Sequence, residues 1–216
     1  MRYGALNPVS DGVQMAVMED SKLLFSTFVP MKSREAAGLP LFAEKELAAR
    51  GLKITDIDFW TTGAGPGGFT ALRMTAALIA AWALEHEEIK FRCVPAAFAI
   101  AGGLSGAEGD RLDCLFDGRN HEVLLFGLEF RNGRWESRNF NAVLNAESFK
   151  AYKDAHKEIR FVTDIKEFEA VAAITGKEGI MPRESDCAEL IRTQAYAYDN
   201  DADNLVYIRE AVELRG

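Results

Sequence analysis

The chain has 216 residues, of which 48% are hydrophobic and 27% are charged, values that are ordinary for a globular protein of one large or two small domains. Its formal net charge is −8, with 25 basic and 33 acidic side chains, so we do not expect a protein that grips a phosphate backbone by itself. An acidic surface of this kind favours a partner with a basic surface.

The start of the chain and its cysteines predict a cytoplasmic protein. No long apolar segment precedes Asp11, so we expect no secretory signal. The longest apolar run, residues 74–84, is too short to cross a bilayer, which takes about 20 residues. Cys93, Cys114 and Cys187 are widely spaced and form no CxxC pair, which favours buried, reduced thiols and no metal site.

The first half predicts three short strands followed by alternating helices and strands. We expect the first strand to end at Asn7-Pro8, because proline removes a backbone donor. The strands are predicted at residues 2–6, 13–17, 23–29, 59–62 and 91–94, and the helices at 41–50, 69–85 and 95–104.

The second half predicts the same order of elements, without a repeat at the level of residues. Asn132-Gly133 is a hairpin signal between two of its strands. The strands are predicted at 112–116, 123–130, 135–140 and 161–162, and the helices at 146–155, 165–175 and 185–196. We therefore expect an N-terminal lobe of residues 1–105 and a C-terminal lobe of 106–216, whose last helix is a candidate to pack back on the first lobe.

A glycine-rich loop, Gly63-Ala64-Gly65-Pro66-Gly67-Gly68, lies between a predicted strand and a predicted helix. This position suits an anion, because free N–H groups point outward at a helix start. The loop has no lysine and does not fit the P-loop pattern. It predicts either a tight turn with Thr70 as a candidate N-cap, or an anion or nucleotide contact through Gly65, Gly67 and Gly68.

The run GPGGFTALRM, residues 65–74, resembles the GPGSFTGLRIG signature of the TsaB (YeaZ) family, which serves in making threonylcarbamoyladenosine on tRNA. Residues 3–17, 54–58, 117–123 and 206–209 resemble further family segments in order and spacing. The resemblance implies an α/β, two-lobed actin-like ATPase fold, the ribonuclease H-like fold of the sugar kinase, Hsp70 and actin superfamily.

The sequence departs from the family pattern at three places. Asn7 stands where the family has an aspartate in its first strand turn, Gly68 replaces a serine and Ala71 replaces a glycine. In active members of the wider superfamily that aspartate serves metal and phosphate chemistry, and an asparagine cannot supply its negative charge. The chain is therefore expected to be a divergent member without nucleotide chemistry of its own.

The resemblance implies a non-catalytic subunit that pairs with a TsaD-like protein, which a TsaE-like ATPase joins, and that forms a homodimer when alone. No tightly bound cofactor is expected, and ATP or ADP at the partner interface stays open. In the family the signature helix contributes to the pairing surface. The corresponding residues here are Phe69, Thr70, Leu72, Arg73, Met74, Ala77, Ala80 and Ala81.

The residues of this helix allow two interpretations. It is apolar around much of its circumference, so one side can face its own sheet while another meets a partner. The alternative is a helix that lies wholly within its own core. Arg73 is either a salt-bridge residue of the first turns or an interface charge.

No catalytic constellation is recognisable. His86, His121 and His156 form no metal-binding pair. The rival hypothesis is a small ATP-dependent phosphotransferase or hydrolase in which Asp117 holds Mg²⁺ near the glycine loop, although Asp117 also fits a solvated turn. A third hypothesis is a divergent paralogue that only associates with itself.

Overall fold

The computed structural model describes residues 1–31, 37–66, 69–206 and 208, without the side chain of Phe69. These residues form two compact units, each described by itself. The first unit contains Met1–Leu104 and Glu184–Leu205, and the second contains Ser105–Arg183 and Val206–Gly216, of which residues 206 and 208 are described.

The first unit is a five-stranded mixed sheet with four helices. The sheet order is β3-β2-β1-β4-β5, with antiparallel pairing among β1, β2 and β3 and parallel pairing of β1 with β4 and of β4 with β5. The elements are β1 (Arg2–Val9), β2 (Gly12–Glu19), β3 (Lys22–Pro30), α1 (Leu39–Ala48), a 3-10 turn (Ile54–Asp56), β4 (Phe59–Gly63), α2 (Phe69–Glu85), β5 (Lys90–Val94), α3 (Ala97–Ala101) and α6 (Cys187–Arg192).

The second unit repeats this strand layout. Its sheet order is β10-β9-β6-β7-β8, with β6, β7 and β8 antiparallel and β6, β9 and β10 parallel. The elements are β6 (Arg111–Asp117), β7 (Glu122–Arg131), β8 (Arg134–Asn145), α4 (Ala146–Ala155), β9 (Arg160–Asp164), α5 (Phe168–Thr175) and β10 (Ile180–Arg183). The predicted order of strands first, then alternating helix and strand, is confirmed in both halves.

Each unit has its own apolar core. In the first unit Trp60 of β4 packs on Trp82 of α2 with ring centroids 4.9 Å apart, and both belong to a cluster with Leu6 and Met15. In the second unit Phe149 of α4 and residues of β6, β7 and β9 form the corresponding cluster. None of the helices among the described residues is long and apolar enough to cross a membrane.

The prediction that Asn7-Pro8 ends the first strand is wrong, because β1 continues to Val9. Pro8 pairs with Val13 of β2, whereas the parallel neighbour β4 pairs only as far as Leu6. At Pro8 the strand is therefore an edge on one side, and proline is tolerated at such positions.

Several other boundaries also differ from prediction. The helix expected at 95–104 is the short α3, the one expected at 165–175 begins at Phe168, and the one expected at 185–196 ends at Arg192. Strand β8 runs to Asn145 with an irregularity opposite β7, and β10 was not predicted. The hairpin at Asn132-Gly133 is confirmed, with φ of 53° and 76°.

Residues 184–205, which we call the return segment, follow the strands of the second unit in sequence but belong to the first unit. Its helix α6 packs against β1, β2 and α3. Beyond α6, Asn200 pairs with the edge strand β5: its N–H donates to the Phe91 carbonyl (3.0 Å), and the Phe91 N–H donates to its Oδ1 (2.8 Å). This return segment therefore covers an edge of β5 that would otherwise expose backbone groups.

Candidate functional site

The glycine-rich loop is anchored to the end of β5. The Ala64 N–H donates to the Val94 carbonyl (2.7 Å), and the Ala96 N–H donates to the Gly65 carbonyl (2.7 Å). Gly65 has a φ of +90°, a conformation that favours glycine. Gly67 and Gly68, the other two predicted contacts of an anion, lie outside the described residues.

Asn7 is the buried polar group at the carboxyl end of β1, only 1% exposed. Its Nδ2 donates to Gln14 Oε1 (3.1 Å), and Gln14 Nε2 donates to the Ser185 carbonyl (2.9 Å), so the return segment fixes the amide orientation. The Asn7 Oδ1 accepts no hydrogen bond from any of the described residues and faces Gly63, where an added Cβ would lie 2.1 Å away. The group at this position is therefore a neutral amide, held tightly in place.

Asp117 lies in the second unit, at the end of β6. Its Oδ1 accepts the Arg119 N–H (2.9 Å), and its own N–H donates to Glu167 Oε2 (3.0 Å). The turn after it holds consecutive residues at positive φ, including Arg119 at 58° and Asn120 at 49°. Asp117 is therefore hydrogen-bonded to the turn that follows it, in which consecutive residues lie at positive φ. Gly65, which the sequence predicted to share an anion or nucleotide contact with Asp117, belongs to the first unit, whereas Asp117 belongs to the second.

Helix α2 has one buried face and one exposed face. Leu72, Ala76, Ile79 and Trp82 are buried, and Thr75 donates its hydroxyl back to the Ala71 carbonyl (3.0 Å). On the opposite side lie exposed residues at helical spacing: Thr70, Arg73, Ala77, Ala81 and Leu84, which we call the α2 face. Residues 74–84 contain no charged side chain, so most of this face is small or apolar.

The structure divides the residues predicted for a partner surface. Thr70, Arg73, Ala77 and Ala81 are exposed, while Met74 and Ala80 are half-buried. Leu72 is a correction: it is 2% exposed and belongs to the core, because it lies on the opposite side of the helix from Ala77. The side chain of Phe69 lies outside the described residues. Leu84, which is 86% exposed, was missing from the predicted set.

Arg92 of β5 is a buried cation that the sequence did not reveal. Its Nη2 donates to the carbonyls of Leu190 (2.9 Å) and Ile191 (2.8 Å) in the last turn of α6. Its Nη1 donates to the Tyr196 carbonyl (2.7 Å) and its Nε to Thr61 Oγ1 (3.2 Å). Burial lowers its pKa, and a helix C-terminus is a favourable place for a cation. The guanidinium therefore ties the return segment to the sheet.

A buried ion pair in the second unit was also missed. Asp113 of β6, 0% exposed, accepts hydrogen bonds from Arg138 Nη2 and from the Tyr152 hydroxyl (2.9 Å). Burial raises the pKa of Asp113, and the neighbouring Arg138 opposes that rise. Burial also raises the pKa of Tyr152 to about 12. The three groups join β6, β8 and α4.

The cysteines supply no reactive thiolate. Cys93, Cys114 and Cys187 are all buried, as predicted, and none of them forms a disulfide. Burial raises the pKa of Cys93 to about 12 and raises the pKa of the other two as well. In the part of the chain that the structure describes, no group of three or more His, Cys, Asp or Glu side chains could hold a metal ion.

No family model and no curated protein matches this sequence. Solved structures do match its fold. An uncharacterized protein with similarity to peptidase YEAZ from Pseudomonas aeruginosa has a TM-score of 0.68 and 16% identity over 96% of this chain and 99% of its own. YeaZ from Pseudomonas aeruginosa has a TM-score of 0.67 and 17% identity over 88% and 89% of the two chains.

A more distant match is the ethanolamine utilization protein EutJ from Carboxydothermus hydrogenoformans, with a TM-score of 0.50 and 9% identity over 88% of this chain and 87% of its own. Together these likenesses confirm the predicted α/β fold of the actin-like ATPase type and the predicted likeness to YeaZ at the level of fold. At such identities they establish the fold alone.

Proposed function

We propose that this chain is a TsaB-like, non-catalytic subunit of the machinery that makes N6-threonylcarbamoyladenosine on tRNA. It acts by pairing with a TsaD-like protein through the α2 face. The observation that carries the proposal is this face: a largely uncharged, exposed side of a helix whose other side is fully used by the core, in a chain with the YeaZ fold.

The α2 face suits close packing against another helix. Ala77 and Ala81 lie one turn apart and carry only methyl groups, so a second helix can approach the backbone. Leu84 adds a large apolar side chain, and Arg73 adds one of the residue types that are enriched at interface hot spots. An exposed apolar stripe of this kind is stabilised by covering it.

The polar groups of the chain support a subunit that does not itself carry out the transfer. The end of β1 presents the neutral amide of Asn7, and Asp117 is bound to its own turn. Transfer of the threonylcarbamoyl group would take place on the TsaD-like partner. This chain would favour the partner conformation that is competent for transfer, which requires that it bind that conformation more tightly than others.

The other parts of the proposal follow from the resemblance. A TsaE-like ATPase would join the pair in the cytoplasm, and ATP or ADP would bind at the partner interface if at all. Alone, the chain would form a homodimer through the α2 face, since a two-fold interface uses the same patch on both copies. Partner binding would then compete with self-association.

The test is light scattering behind size exclusion, on this chain alone and mixed with the TsaD-like protein of the same cell. We expect a 1:1 complex that replaces the homodimer. Ala77→Arg or Ala81→Arg should abolish both assemblies and leave the melting temperature within a few degrees of wild type. Ala81 is a better choice than Ala80, which packs partly against the core.

The matched control is Ala151→Arg, which makes the same change at an exposed position of α4. It should leave assembly unchanged. A homodimer that ignores the TsaD-like protein would contradict the proposal. Tight Mg²⁺-dependent nucleotide binding by the chain alone, lost in Asp117→Ala, would favour the phosphotransferase instead.

A further inference from the structure

A groove of about 420 Å³ lies in the first unit beside the C-terminal end of α2. Its floor is formed by Ala48 of α1, Leu52, Ile54 and Trp82 of α2. Trp82 is 8% exposed and packs on the ring of Trp60, so the floor is largely apolar. The groove therefore offers an apolar bed for a long side chain.

The rim of the groove is acidic. Glu44 of α1 and Glu85 of α2 line it, and both are exposed. Among the described residues, no ion pair engages either carboxylate, and the nearby Lys53 pairs with neither. Two carboxylates against one ammonium leave the rim with a net negative charge.

The end of α2 adds to this negative potential. A helix C-terminus carries a partial negative charge, which a basic residue in the last turn usually offsets. The last turn of α2 has no basic residue and instead ends at Glu85. A cation would be favoured here by the helix end and by the rim carboxylates together.

We propose that this groove receives an arginine or lysine side chain of the partner that covers the α2 face. The methylene stem would lie on Leu52 and Trp82, and the cationic end beside Glu44 and Glu85. Glu85 directly follows Leu84 and lies one turn beyond Ala81, so the groove borders the C-terminal end of the α2 face. The inference rests on the proposed function, since it names the chemistry of the same partner.

The test compares dissociation constants of the complex with the TsaD-like protein at low and high salt. The groove variant is Glu44→Gln with Glu85→Gln, which keeps side-chain size and removes both charges. We expect binding about tenfold weaker at low salt, and a smaller dependence on salt than in wild type. The control is Glu147→Gln with Asp154→Asn on α4, which changes net charge equally at exposed positions and should bind as wild type.

The outcomes separate the two proposals. If Ala77→Arg abolishes binding while the groove variant binds with wild-type affinity and salt dependence, the groove proposal falls and the α2 face stands. If wild type does not bind the TsaD-like protein, both fall. If the groove variant instead weakens only self-association, the occupant is a second copy of this chain, and the proposed partner chemistry is overturned. Unchanged melting temperatures exclude loss of folding as the cause.

Discussion

The two units share one strand order, yet they balance their buried charges differently: the buried charge is Arg92 in the first unit and Asp113 in the second. In the first unit Arg92 donates to neutral oxygens, and burial lowers its pKa. In the second unit burial works to lower the pKa of Arg138, but hydrogen bonding to Tyr152 and the charge of Asp113 raise it. Equal sheet topology therefore does not dictate how a buried charge is balanced: carbonyls at a helix end serve as well as a carboxylate.

The largest loss of stability is expected when one charge of the Asp113–Arg138 ion pair is removed and the other is kept. Asp113→Leu leaves the half-buried Arg138 without its counter-charge and should lower the free energy of unfolding by about 4 kcal/mol. Asp113→Leu combined with Arg138→Met removes both charges and should stay within about 1 kcal/mol of wild type. Urea denaturation of the single and double variants measures both values.

The control for this cycle is Asp154→Leu, at an exposed position of α4, which should change stability by less than about 0.5 kcal/mol. Equal losses in the single and double variants would show that Asp113 contributes through packing and not through its charge.

Removing Arg92, whose acceptors are all neutral oxygens, should lower the free energy of unfolding somewhat less than removing Asp113. Arg92→Met leaves the carbonyls of Leu190, Ile191 and Tyr196 without their donor but strands no charge, so we expect a loss of about 3 kcal/mol. Arg92→Lys should not restore wild-type stability, because a single ammonium cannot reproduce the guanidinium fork.

Urea denaturation again provides the measurement, with Arg134→Met as the matched change at an exposed arginine of β8. If Arg92→Met were as stable as wild type, the return segment would have to be held by its other contacts alone.

The smallest effect on stability is expected at alkaline pH, where one tyrosine of each unit can be compared: Tyr196 in the first and Tyr152 in the second. Burial raises the pKa of Tyr196 and of Tyr152 to about 12, from the usual tyrosine value of 10.0. Because the folded chain keeps these protons longer than the unfolded chain, their contribution is complete below pH 10 and is lost as the pH rises toward 12. Tyr196→Phe should make this decline shallower, by up to about 1.4 kcal/mol per pH unit.

Denaturation midpoints measured from pH 8 to pH 12, for wild type and each variant, give the decline in stability with pH. Tyr152→Phe should also flatten it, but it additionally lowers stability at pH 8, because its hydroxyl donates to Asp113. An unchanged slope in Tyr196→Phe would mean that this phenol ionises as freely in the folded chain as in the unfolded one.

Local patterns in the sequence predicted much of the fold. The alternation at residues 13–17, the Asn132-Gly133 turn and the Ala-rich run of α2 depend on neighbours a few positions away, and all three elements are present. The end of β1 was wrong because it depends on where β4 stops pairing, which lies more than 50 residues along the chain. Leu72 was misplaced because an apolar helix does not show which side its sheet covers.

The buried charges could not be predicted for a related reason. Arg92 meets Leu190, which is 98 positions away, and Asp113 meets Arg138, which is 25 positions away. Each of the two sits among apolar residues of a strand, and no local pattern distinguishes a buried charge from an exposed one there. The α2 face was predicted only in part. The sequence shows which residues of the helix share a side, but it does not show which side is exposed.

The return of residues 184–205 to the first unit has a consequence for how the protein is made. All five strands of the second unit's sheet lie between Arg111 and Arg183, so the sheet is complete once Arg183 has left the ribosome. The first unit lacks α6 and the segment around Asn200 until some twenty more residues have emerged, so Arg92 and the β5 edge wait for the last part of the chain. The sheet whose strands are translated first therefore receives its covering helix and edge segment only after the strands of the second sheet have been made.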